Sequence, residues 1–344
     1  MRRRPQKFRD ERVTMAHGAG GKASRALVEG LIVPLLANPA LEQLSDAGLL
    51  TAGTSRLAMT TDAYVVRPLR FPGGSIGELA VNGTVNDLAV SGARPLALSA
   101  ALVLEEGLTS DVLVAEITAM GDAARAASVH VITGDTKVVE RGKCDGMYVV
   151  TTGIGLVAEG VSLSPQRVRP GDKVLLSGTV GDHGVAILLA RGDLDIEADV
   201  HSDTQPLWSL ASAVIDACGE GLRCMRDATR GGVATVLNEI ALAAEVGIVL
   251  EESRVPVRPE VVGAGEILGI DPLYVANEGK LVAFVAPQHA DAALAAMRAL
   301  PSGADAAIVG EVKDAPPGRV LGRTTFGGHR LIDMLVGDPL PRIC

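Results

Sequence analysis

Two periodicities alternate along this chain and restart after one sharp break, which limits it to layered architectures of strands and helices. In the first half, Leu57–Val66 (LAMTTDAYVV) reads as a strand, and Ser75–Val90 carries apolar residues at helical spacing behind Pro72-Gly73-Gly74. Pro95–Leu104 reads as a strand, Asp111–Ala127 as an amphipathic helix, and Val129–Thr133 and Met147–Val157 as strands. The break is Arg167–Asp172 (RVRPGD). Beyond it the strand Lys173–Leu176 opens a second unit. Helices are expected there near Asp182–Leu189, Gln205–Ala217 and Ala234–Ala244, and strands near Ile248–Glu251, Leu281–Val285 and Ala307–Val312. Val129–Thr133 and Met147–Val157 follow one another like a hairpin, which argues against a fully parallel, doubly wound sheet. The expected fold class is therefore α/β with mixed sheets, an α+β layer structure. Residues 1–165 form one expected α/β domain, 166–330 a second, and 331–344 an extended tail.

Composition narrows the function. Thirty-two basic residues against 41 acidic ones leave a net charge of −9, and aromatics are only 2%. Such a chain lacks both the phosphate-neutralising charge and the stacking surfaces of a nucleic-acid binder. No apolar run approaches the roughly 20 residues that span a bilayer. The basic N-terminus, MRRRPQKFRDER, has no apolar stretch behind it and reads as a solvated tail rather than a secretory signal. Cys144, Cys218, Cys224 and Cys344 show no CxxC spacing and are too sparse for a disulfide framework, so a reducing cytoplasm is expected.

Three kinds of motif carry chemistry. His17-Gly18-Ala19-Gly20-Gly21-Lys22 offers backbone N–H groups without side chains, as a phosphate cradle needs. It departs from a Walker loop at Ala16 and Ala23, and a plain flexible turn or a loose dinucleotide fingerprint (Gly18, Gly20, Ala23) remains open. Acidic residues stand at what read as element ends: Asp62 in TTD, Asn86-Asp87 on the helix after Gly74, and Asp135 in Gly134-Asp135-Thr136-Lys137. Carboxylates so placed suit Mg2+ held beside substrate phosphates, and Lys137 adds a point charge for those phosphates; singly, each Asp is equally a cap or turn residue. Glu78, Asn82 and Asn86 share one helical face. In the second half, Asp227-Ala228-Thr229-Arg230-Gly231-Gly232, Asn277-Glu278-Gly279-Lys280 and His183 in GDHG read either as caps and turns or as site residues.

The chain stops at Leu340-Pro341-Arg342-Ile343-Cys344. Pro339 and Pro341 favour an extended arm, and a thiol at its tip can visit two sites, with Arg342 favouring the thiolate. The residues alone leave open whether that thiol is functional.

Together, AHGAGG (16–21), TTDAYVV (60–66), FPGGSIGELAVNGTVNDLAVSGA (71–93), LEEG (104–107), ITGDTKVV (132–139), SGTVGDHG (177–184), RDATRGGV (226–233), ANEGKL (276–281) and the terminal PRIC resemble the hydrogenase-maturation HypE family. That family belongs to the ATP-binding superfamily of aminoimidazole ribonucleotide synthetase (PurM-like). The resemblance runs from about residue 12 to the end of the chain, and the PRIC terminus singles out HypE. It implies two α/β domains, a homodimer paired through the N-terminal domains, and ATP with Mg2+ near that interface. It also implies an ATP-dependent carbamoyl dehydratase. The thiol of Cys344 would receive a carbamoyl group from the carbamoyltransferase HypF, ATP would drive its dehydration to a thiocyanate, and the cyano group would pass to iron on a HypC–HypD complex. By motif match Asp62, Asp87 and Asp135 would hold the metal. Gly18, Gly20, Gly21, Asn86, Asp87, Asp135, Thr136 and Lys137 would bind nucleotide. Cys344 would be the carrier nucleophile and Lys137 the phosphate partner, with Glu278, and then His183, as candidate base. A small-molecule phosphotransferase of the same fold would not need Cys344. An assembly scaffold would bind ATP without turnover.

Overall fold

The computed structural model describes residues 8–192, 198–337, 340 and 342–344. The chain enters through short helices α1 (Lys22–Leu27) and α2 (Val33–Leu36), strands β1 (Gly48–Ala52) and β2 (Ser55–Tyr64), and a two-residue ladder of β3 (Arg70–Phe71) and β4 (Gly74–Ser75). Helix α3 (Ile76–Val90), strand β5 (Ala93–Glu105), helix α4 (Ser110–Ala126) and strands β6 (His130–Val139) and β7 (Met147–Val157) follow. The sheet order is β1-β2-β7-β5-β6, antiparallel except for the parallel β5–β6 pair.

The mixed sheet is as expected, but the hairpin reasoning behind it is corrected. Strand β5 lies between β6 and β7, so Val129–Thr133 and Met147–Val157 do not pair. The apolar, 13-residue β5 takes an interior place between β7 and β6, whereas β6 is exposed along nearly its whole length and forms an edge. Strand β7 alternates buried and half-buried residues without a break, because one face covers α3 and the other is open.

Helix α3 is buried nearly all round, as a helix between two layers must be. Gly77 makes its contact with α4 possible: a Cβ there would stand 2.1 Å from the Glu116 carbonyl oxygen. Polar residues Asn82, Thr84 and Asn86 are nevertheless buried along it, each needing a partner.

The second half comprises β8 (Lys173–Leu176), α5 (Asp182–Ala190), α6 (Trp208–Cys218), β9 (Leu222–Asp227), α7 (Gly232–Ala244), β10 (Gly247–Glu251), α8 (Pro259–Leu268), β11 (Leu281–Val285), α9 (Ala290–Arg298), β12 (Ala307–Lys313), β13 (Arg319–Arg323) and β14 (His329–Ile332). Its sheet runs β14-β13-β10-β12-β8-β11-β9, with only β10 and β13 parallel. Every residue of β11 is buried, in keeping with its uninterrupted apolar sequence LVAFV. Among the described residues no helix is long and apolar enough to cross a membrane.

Candidate active site

The cleft between the two halves gathers carboxylates from four separate segments. Asp46 precedes β1, Asp87 lies on α3 and Asp227 ends β9; one carboxylate oxygen from each lies within 4.8 Å of the others. Asp62 on β2 joins them, hydrogen-bonded to the Tyr64 hydroxyl at 3.4 Å, while Thr60 donates to Asp87 at 2.6 Å. Burial pushes the Asp87 carboxyl well above its ordinary range, and Asp62, Asp227 and Asp46 push it further. Asp227 is raised in the same way, by burial and then by Asp46 and Asp62. Like charges packed this closely need a compensating cation or protons. An all-oxygen donor set with raised affinity for positive charge fits a hard divalent ion such as Mg2+.

Residues of the second half reach this cluster. Arg230 lies close enough to lower the affinity of Asp62 and Glu278 for protons, against the larger effect of burial. Its guanidinium donates to the Gly18 carbonyl, so the glycine-rich segment is joined to the same cleft. Gly20 has φ +77°, and a Cβ there would meet the Arg230 carbonyl oxygen at 2.8 Å. Lys22 and Ala23 donate backbone hydrogen bonds to the Leu335 and Val336 carbonyls, at 2.8 and 3.3 Å.

Glu278 is buried beside Asp227, Asp203 and Asp62, and burial followed by those charges raises its carboxyl well above the ordinary value. Its Oε1 has no hydrogen-bond partner among the described residues. Asn86 holds the segment in place: its Nδ2 donates to the carbonyls of Glu278 (3.0 Å) and Gln205 (3.1 Å), and its Oδ1 accepts from Leu207 N. Both ends of that amide are thus engaged by backbone, which makes Asn86 a strut between the halves here. Asp203 accepts from Glu278 N, Gly279 N and Lys280 Nζ. Burial alone would lift the Asp203 carboxyl, but Lys280 and these donors hold it below its ordinary value.

Asp135, Thr136 and Lys137 lie elsewhere. They stand within β6 rather than after it, which corrects the element-end reading of Asp135. Across the sheet Asp62 is in register with Thr151, Ala100 and Gly134, so the neighbouring Asp135 points to the opposite face. Asp135 and Lys137 pair with each other at 2.6 Å on that open face. Within one chain they are not brought to Asp62 and Asp87.

The C-terminal residues are docked. Val65 N donates to the Cys344 carbonyl (3.0 Å) and Arg67 N to the Arg342 carbonyl (3.4 Å), an antiparallel pairing that continues directly from β2. Ile343 and Leu340 are buried. Arg342, expected beside the thiolate, pairs instead with Asp145. Pro339 and Pro341, on which the extended-arm expectation rests, lie outside the described residues.

Family models described as AIR synthase related protein match the chain at residues 44–157 (N-terminal domain) and 169–322 (C-terminal domain). The carbamoyl dehydratase HypE of Rhodobacter capsulatus is 55% identical over 340 residues, covering 98% of this chain and 99% of that protein. The chain belongs to the HypE family. A HypE structure solved in complex with ATP is 47% identical, with a TM-score of 0.81, covering 97% of this chain and 100% of that one. A HypE–HypF complex contains a chain 42% identical, with a TM-score of 0.86, covering 90% of this chain and all of that one. The PurM-like two-domain fold and the carbamoyl dehydratase assignment drawn from the motifs are borne out.

Sequence reasoning found Asp62, Asp87 and Glu278 but missed Asp46 as a member of the cluster. It left Asp227 open between a cap and a site residue and did not single out Asp203. Asp46 is tied in by the half-buried Arg226, 180 positions away, a pairing that no local pattern announces.

Proposed function

We propose that this chain dehydrates a carbamoyl group carried as an S-carboxamide on Cys344, using ATP, to supply cyanide ligands for a nickel–iron hydrogenase. The carrying observation is the docking of the terminal residue: Cys344 pairs with Val65, next in sequence to Tyr64, whose hydroxyl touches Asp62 in the acidic cluster. A HypF-type carbamoyltransferase delivers the carbamoyl group to sulfur. The carboxamide oxygen then attacks the γ-phosphorus of ATP, ADP leaves, and one of the two N–H protons is lost to give an O-phosphorylated imidate. Breaking the C–O bond releases phosphate, loss of the remaining N–H proton completes the nitrile, and the product is S–C≡N on Cys344.

Phosphorylation turns a poor leaving group into a good one and needs positioning and charge neutralisation above all. Mg2+, when bound, neutralises the phosphates; Asp46, Asp62, Asp87 and Asp227 would hold it. Gly18, Gly20 and Gly21 would lie along the phosphates beside Arg230. Glu278 is our candidate for accepting the N–H proton: it is buried, one of its oxygens is unpartnered, and arriving positive charge would favour its ionised form.

The active unit is a homodimer. The open face of the first sheet exposes Met59, with β6 uncovered at its edge, and Asp135 and Lys137 stand on that face. The cluster lies on the α3 side of the sheet, so a second copy would have to reach round the sheet edge for its Asp135, Thr136 and Lys137 to join the cluster of the first. The cyano group would then pass to iron on a HypC–HypD complex. A reducing cytoplasm is our reading of the compartment, from cysteines that are sparse and without CxxC spacing. Cys344→Ser tests the reading: carbamoyl acceptance should vanish while ATP binding persists, and a variant still carbamoylated elsewhere and turning over would refute it.

A further inference from the structure

We infer that His183 is a positioning residue for the carrier tail, acting with Asp145 as a clasp on the last three residues. The role rests on Cys344 being the carried thiol, but the contacts stand apart from that chemistry. His183 Nε2 lies 2.6 Å from the Ile343 carbonyl oxygen, one residue before the thiol. A carbonyl oxygen can only accept, so Nε2 carries the proton. Nδ1 then has its lone pair free to accept from the Ser202 hydroxyl at 2.8 Å, and that hydroxyl in turn accepts from Thr204 N at 3.2 Å. Both ring nitrogens are thus committed in the docked state, and the ring is fully buried with its plane edge-on to Phe71, 5.6 Å between centroids. This leaves His183 no lone pair for a substrate proton and gives it a different task from the base role considered for it.

Asp145 supplies the other contact. It receives the Arg342 guanidinium and the Tyr148 hydroxyl, the latter at 2.7 Å, while Arg191 donates to the Arg342 carbonyl at 2.8 Å. Between these two polar contacts the Ile343 side chain is buried against the cluster that holds Phe71, Ile187, Val275 and Ala276. Each of the three terminal residues is therefore read by a different group: Arg342 by charge, Ile343 by shape and through its carbonyl, Cys344 by backbone pairing. An arm that must also leave for a partner is suited by a few such contacts. A reacting carboxamide needs its neighbours fixed to a fraction of an ångström, and His183 fixes the peptide that carries it.

The test is the rate at which iodoacetamide alkylates Cys344 in the full chain, without partner or nucleotide, read on the C-terminal peptide by mass spectrometry. His183→Ala should raise that rate about fivefold or more, the equivalent of one lost hydrogen bond. His183→Gln, whose side-chain amide can donate to the same carbonyl, should restore both protection and the single-turnover dehydration rate. Asp145→Asn and Arg342→Gln should deprotect Cys344 without touching the core, and they decide the question if His183→Ala does not fold. Unchanged alkylation in these variants would overturn the clasp. So would His183→Gln that restores protection but not dehydration, because that result assigns His183 a proton-transfer role. Alkylation involves no carbamoyl chemistry, so a failed carrier mechanism and a failed clasp give different results.

Discussion

Asp62 and Asp135 stand three strands apart on opposite faces of one sheet. Their ladder runs from Asp62 through Thr151 and Ala100 to Gly134, a separation of about 14 Å at the usual spacing between strands. A site using both must take them from two chains. Asp87→Asn and Lys137→Ala should each be inactive alone. Co-expressed, they should recover activity, because mixed dimers contain one site with both native residues; about a quarter of all sites would be intact. No recovery in mixed dimers verified by native mass spectrometry would mean that the two residues act within one chain.

Asp87 is held against its own preference. Its carboxyl is raised by burial and by its acidic neighbours, so the folded chain binds a proton at pH values where the unfolded chain has released it. Stability of the cation-free protein should therefore fall as pH rises above about 3.9, the ordinary Asp value, toward the raised folded one. Asp87→Asn should flatten that fall and raise the melting temperature at pH 7 by a few degrees. It should also shrink the further rise that Mg-ATP gives the native chain. A lowered melting temperature would show that the cluster is not under charge repulsion.

The Asp203–Lys280 pair has the opposite sign. Both side chains are nearly inaccessible, at 4% and 8%, and the Asp203 carboxyl is held below its ordinary value. Its contribution is complete above about 3.9 and is lost as pH falls through the folded value. Asp203→Asn should destabilise the protein by about 3 kcal/mol at pH 7, since it strands a buried ammonium. Urea titrations of the two proteins should converge as the pH is lowered below 4, roughly where the carboxylate is lost.

The glycine-rich segment gives a paired prediction. Gly20→Ala forces a side chain onto positive φ and into the Arg230 backbone, so it should cost about 1–3 kcal/mol and weaken nucleotide binding at least about tenfold. Gly18→Ala meets nothing within 4 Å and should leave the melting temperature unchanged. Any loss of ATP affinity in that variant, measured by calorimetry, would then report the approach of phosphate itself.

Much of the fold was legible because its central strands are uninterrupted apolar runs. Lys173–Leu176 and Leu281–Val285 were read with their observed limits. Strand β9 was not, since Arg223, Arg226 and Asp227 break the pattern of LRCMRD, and those charges belong to its ion pairs and to the site. In the site, Asp62, Asp87 and Glu278 announced themselves through neighbouring Gly, Asn and Thr. Asp46, in the ordinary-looking Ser45-Asp46-Ala47-Gly48, acquires its role only when β9 brings Arg226 and Asp227 beside it. The sheet order was illegible for a related reason: adjacency in sequence says nothing about which strand is apolar enough on both faces to take an interior place.

The most direct measurement is an intact-protein mass spectrum after incubation with HypF, carbamoyl phosphate and Mg-ATP, with any adduct mapped to its peptide. A carbamoyl adduct on Cys344 that loses one water only while ATP is hydrolysed is the expected result. An unmodified Cys344 in the presence of demonstrably active HypF would contradict the carrier mechanism.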